Sequence, residues 1–119
     1  MKLKDIYEAF NGDYESVIGR LRTDERIEKY LIKFSDYHYD ELISDALKNE
    51  DYETAFREAH NLKGLCANLS IDRLGKSASE LTESLRHGKP DYDITPLVEA
   101  MKSDYVLTIS AINKIGREE

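Results

Sequence analysis

Apolar residues recur at steps of three and four along most of the chain, the spacing that aligns one face of a helix with 3.6 residues per turn. Leu3, Ile6, Tyr7 and Phe10 form the first such face, and Asn11-Gly12-Asp13 interrupts it. Asp13 is placed to cap a second short helix carrying Tyr14, Val17, Ile18 and Leu21, because its carboxylate can accept from the unpaired N–H groups of a first turn. Thr23 or Asp24 can cap a third, long helix, in which Ile27, Tyr30, Leu31, Phe34, Tyr37, His38, Leu42, Ala46 and Leu47 recur at near-helical intervals as far as Asn49. The most regular stripe begins after Asp51, with Tyr52, Ala55, Ala59, Leu62, Cys66 and Leu69. A short link at Ser70-Ile71-Asp72 leads to Leu74, Ala78, Leu81 and Leu85, and Arg86-His87-Gly88-Lys89-Pro90 supplies the basic residues, glycine and proline that end a helix. Thr95 as N-cap, with Pro96 at the first helical position, starts a last helix carrying Leu97, Met101, Tyr105, Val106, Ile109 and Ile112.

No segment shows the strict alternation of a half-buried strand, and both prolines lie at or beyond position 90, leaving the preceding chain free of the strongest helix breaker. Long amphipathic helices joined by short links pack as antiparallel neighbours. The expected fold is therefore all-α: an antiparallel up-down four-helix bundle with one or two short N-terminal helices, with residues 1–119 as one domain.

Composition narrows the function. A net charge of −7 without a Lys/Arg cluster argues against nucleic acid as a partner, since phosphate-backbone affinity is carried by clustered cations. The uncharged runs are far shorter than the roughly 20 apolar residues that span a bilayer, and the first twenty residues mix both charges, so neither a membrane anchor nor an export signal is expected. Cys66 is the only cysteine and forms no internal disulfide, which makes the cytoplasm the expected location. The chain has no Gly-rich phosphate loop, so any phosphate it handles must come from elsewhere.

Three histidines are candidates for chemistry. His38 sits among aromatics in Tyr37-His38-Tyr39, where a helix-packing role is expected, and His87 stands at a helix C-terminus, where positive charge is favoured. His60 lies about a quarter-turn from Ala59, the centre of the buried stripe, and so at the edge of the core face. Phe56, Glu53, Gly64 and Ala67 fall within about 40° of it, with Arg57 and Lys63 about 60° away on either side. An imidazole that accepts a phosphoryl group needs an exposed ring nitrogen, room for a partner and nearby positive charge. Lys63 can reach a phosphate on His60, and Gly64 leaves a notch one turn on, at a helix-propensity cost of about 1 kcal/mol relative to Ala.

Ala59-His60-Asn61-Leu62-Lys63-Gly64, followed by Ala67-Asn68-Leu69, resembles the signature of histidine-containing phosphotransfer (HPt) domains. Phe10-Asn11-Gly12-Asp13, Asn49-Glu50-Asp51-Tyr52 and the stretch from Leu81 to Gly88 resemble further segments of that family. The resemblance implies that His60 carries a phosphoryl group between aspartates of response-regulator receiver domains, one of them in a hybrid sensor histidine kinase. It implies that Lys63 stabilises the phosphate, with Arg57 and Arg86 as further cations, and that Gly64, Phe56, Ala67 and Leu65 admit and dock the receiver. No cofactor or metal of its own is implied; Mg²⁺ and the acidic acceptor belong to the receiver. Leu65 and Cys66 stand where the family usually has small residues, and Ser70 replaces a usual glycine, a change expected to move the helix end by a residue. For Arg86 the position at the helix end favours a C-terminal cap over a phosphate contact.

Two other readings remain open. A di-metal bundle would need Glu-x-x-His pairs, but Arg57 and Ser84 stand three residues before His60 and His87. A non-catalytic receiver-binding module would dock a receiver through Phe56, Leu65 and Ala67 without using His60.

Overall fold

The computed structural model describes residues 2–115; residue 1 and residues 116–119 of the expected single domain lie outside the described residues. Seven helices run through them: α1 (Leu3–Ala9), α2 (Tyr14–Leu21), α3 (Asp24–Tyr37), α4 (Tyr39–Lys48), α5 (Tyr52–Leu69), α6 (Asp72–Ser84) and α7 (Thr95–Ile112), with no strand among the described residues. The arm formed by α3 and α4 packs with α5, α6 and α7 as the four-helix core, and the short α1 and α2 lie against α7 and α3. Helix α5 sits between α4 and α6. Its stripe Ala55, Ala59, Leu62, Cys66 and Leu69 is buried, as are Leu74, Ala78 and Leu81 of α6. Burying each leucine or isoleucine of this core is favourable by about 1.5–3 kcal/mol.

The single long helix expected up to Asn49 is two. His38 takes a left-handed conformation (φ 60°, ψ 53°) between α3 and α4, and it is exposed rather than packed. The reason is a slip of phase. Ile27, Leu31 and Phe34 bury at steps of four and three, as do Tyr39, Ile43 and Ala46, but five residues separate Phe34 from Tyr39. In a straight helix, five residues rotate a side chain about 140° off the stripe. The break returns Tyr39 to the core and turns the expected Tyr37 (50% exposed) and Leu42 (37%) outward. Tyr105 of α7 supports it: its hydroxyl accepts from the Tyr39 N–H at 3.1 Å, replacing a lost helical bond, and its ring lies 5.8 Å from that of Phe34. Tyr30, also expected on the core face, is 45% exposed.

The two short helices complete the end of α5. A helix leaves its last carbonyls without intrahelical donors, and here each finds one. Ile71 N–H donates to Cys66 O at 2.9 Å, Tyr7 hydroxyl to Leu69 O at 2.7 Å, and Asp13 N–H to Ser70 O at 2.9 Å. Arg20 of α2 donates from Nε to Asn68 O at 3.1 Å, and from Nη2 to Ala67 O at 3.2 Å and Ser70 Oγ at 2.6 Å. With that support Ser70 itself adopts the left-handed conformation (φ 56°, ψ 41°), so α5 ends at Leu69 without the expected shift. At the start of α7, Thr95 is the first helical residue rather than the cap. The Asp93 carboxylate accepts from Thr95 N–H at 2.9 Å, because the carboxylate two residues upstream reaches the free donor that a threonine in the helix cannot.

Candidate functional site

Helix α5 is anchored at both ends, and its outer ridge is presented on a stiff rod. At its start the Asp51 carboxylate accepts from Thr54 N–H at 3.1 Å. Bonding from Thr54 holds that carboxyl below the usual range, with the Arg57 charge adding to the effect. Arg57 is exposed, and its charge bears on this N-cap, as expected of a helical side chain that leans toward the N-terminus.

His60, expected at the edge of the core face, is exposed on the outer ridge of α5. Its ring stacks on half-buried Phe56, one turn earlier, with centroids 6.0 Å apart and planes 19° from parallel. The guanidinium carbon of Arg86, from the turn after α6, lies 5.4 Å from the Phe56 centroid. Arg86 does not cap its helix. It donates from Nε and Nη2 to the two carboxylate oxygens of Glu83 at 2.9 and 2.8 Å. Bonding from Arg86 holds the Glu83 carboxyl down, and the charges of Arg86, Lys63 and His87 act in the same direction. Glu83 was not singled out from sequence, although its place three residues before Arg86, on one helix face, was a readable signal.

One turn after His60, a Cβ added to Gly64 would meet no atom within 4 Å, apart from the helix's own backbone. The notch therefore opens outward, and no packing within this chain requires a glycine there. Ala67 and Asn68 continue the exposed ridge. Lys63 is half-buried and lines a shallow hollow of about 280 Å³ with Ala67, Gly75, Lys76 and Ser79 between α5 and α6.

On the other flank Leu65 is half-buried and forms part of the wall of a groove of about 430 Å³, with Leu21, Tyr30, Phe34, Tyr37 and Tyr39. The tyrosines that left the core stripe thus gather beside the histidine ridge, a placement that sequence periodicity did not reveal. Cys66 is buried in the core, and burial pushes its thiol up, so it offers no nucleophile beside His60. Among the described residues, no three His, Cys, Asp or Glu side chains cluster as a metal site would require. No helix among them is long and apolar enough to cross a membrane.

The family model described as the Hpt domain matches residues 38–104, from the junction before α4 into α7, more than half of the chain. That range contains α5, α6, His60 and Arg86, whereas the Phe10–Asp13 segment lies before it. No curated protein and no solved structure matches the chain.

Proposed function

The chain belongs to the Hpt domain family, whose members act in histidine phosphotransfer with receiver domains in phosphorelays, and on that premise we propose that His60 is its phosphoryl carrier. The observation that carries this reading is the open notch at Gly64 beside an exposed imidazole: a mid-helix glycine that its own fold does not need, one turn from the reactive ring.

In the proposed step, the outer ring nitrogen of neutral His60 attacks the phosphorus of a receiver phosphoaspartate in line. The N–P bond forms as the aspartyl O–P bond breaks, the carboxylate stays on the receiver, and the other ring nitrogen keeps its proton. Transfer onward to a second receiver aspartate is the reverse of this step. Phosphoryl transfer depends chiefly on positioning and on charge placed against the phosphoryl oxygens. Phe56 orients the ring, while Lys63 and Arg86, with Arg57 at longer range, supply positive charge on a chain that is otherwise negative. Mg²⁺ on the receiver contributes the remainder. Gly64 and Ala67 admit the receiver, and Leu65 with the neighbouring tyrosine-lined groove gives it an apolar seat. The proposed donor is the receiver domain of a hybrid sensor histidine kinase, which places the protein in the cytoplasm.

Incubation of the purified protein with a receiver domain phosphorylated by a small acyl phosphate should give an acid-labile phosphoryl adduct on the wild type and none on His60→Gln. Equal labelling of the variant would reject His60 as the carrier, and binding of the receiver without any labelling would favour the non-catalytic module.

A further inference from the structure

Arg86, the cation over the Phe56 ring on which His60 stacks, is held by a two-bond fork to Glu83. Both partners are substantially exposed, with side-chain accessibilities of 42% for Arg86 and 56% for Glu83. The fork occupies Nε and one N–H of Nη2, which leaves Nη1 and the second Nη2 hydrogen available to a phosphoryl oxygen. The guanidinium and the His60 ring share Phe56 as a neighbour, at 5.4 and 6.0 Å from its centroid. Glu83 therefore sets a full negative charge against the Arg86 guanidinium, one of the cations on the phosphoryl-accepting side of the molecule.

We propose that Glu83 is a positioning residue and counter-ion that sets how strongly the site holds phosphohistidine: it steers Arg86 onto Phe56 and at the same time offsets its charge. The inference rests on the phosphocarrier reading of His60 and adds to it a residue that tunes the transfer equilibrium. Two effects of removing the carboxylate oppose one another. Loss of the fork loosens Arg86, but the contact with Phe56 persists, since cation–π attraction at exposed sites is comparable to an exposed ion pair. Loss of the charge removes a repulsion against a dianion, which at a given distance is twice that against a monoanion. The charge effect outweighs the steering effect, and the carboxylate keeps the phosphoryl group transferable rather than tightly held.

The test is the equilibrium distribution of label between this protein and a chemically phosphorylated receiver domain, measured from both directions. Glu83→Gln should raise the protein's phosphorylated fraction relative to the receiver by roughly two- to five-fold, the range set by exposed charge pairs. Glu83→Asp, which keeps the charge, should stay near wild type, and Arg86→Gln should lower the ratio. In the Arg86→Gln background, where no guanidinium is left to steer, the effect of Glu83→Gln should be at least as large as in the wild type. An unchanged ratio for Glu83→Gln, a fall in it, or equal shifts for Gln and Asp would overturn the inference. Failure of the wild type to take label would instead count against the phosphocarrier reading.

Discussion

At Gly12 an added Cβ would lie 2.5 Å from Phe10, 2.7 Å from the carbonyl oxygen of Ser70 and 2.8 Å from Tyr7, whereas at Gly64 it would meet nothing within 4 Å. Both glycines serve α5, one at its end and one on its outer ridge. The first is needed by the fold, because the α1–α2 connection passes so close to the end of α5 that Asp13 N–H can donate to Ser70 O. The second is not, and a residue that weakens a helix by about 1 kcal/mol relative to alanine without an internal packing reason points outside the chain. The structural glycine and the proposed access glycine are thus told apart by what surrounds them.

The sharpest way to break that distinction is at the fold end. Gly12→Ala should destabilise the protein by about 2–3 kcal/mol, the cost of forcing an extra methyl against backbone and two aromatic rings, read as a lower midpoint in urea denaturation with an unchanged slope. A midpoint within error of wild type would mean the close approach is easily relieved. On the ridge the sign reverses: Gly64→Ala should raise stability by about 1 kcal/mol, and Gly64→Gln should remain at least as stable as wild type while its transfer from a phosphorylated receiver slows. Transfer at the wild-type rate by Gly64→Gln would remove the access argument. The smallest stability effect is expected at Lys63→Ala, less than about 1 kcal/mol for an incompletely buried charge, accompanied by a shorter lifetime of the phosphorylated form. A loss of stability well above that range would make Lys63 a structural residue.

Legibility from sequence followed the source of the information. The α5 stripe was readable because Ala55, Ala59, Leu62, Cys66 and Leu69 keep one phase through the helix, and the same angles put His60, Gly64 and Ala67 on one ridge beside it, which the structure exposes more fully than the edge position implied. The break at His38 was not, because in an unbroken helix Tyr37 and Leu42 continue the Phe34 stripe while Tyr39 and Ile43 leave it. The choice was made by Tyr105, 66 residues away, whose hydroxyl accepts from Tyr39 N–H. Arg86 was readable as a cation near the end of α6. Its pairing with Glu83, three residues earlier, is local to one stretch of chain, whereas its place over Phe56 required the relative placement of α5 and α6.

The sequence by itself determined the helical class and the buried face of α5, since periodicity and residue type are local properties of the chain. Tertiary structure decided where α3 gives way to α4, how α1 and α2 close the end of α5, and which charge sits over Phe56. Those outcomes depend on hydrogen bonds and ring contacts between residues dozens of positions apart, and no local pattern encodes them.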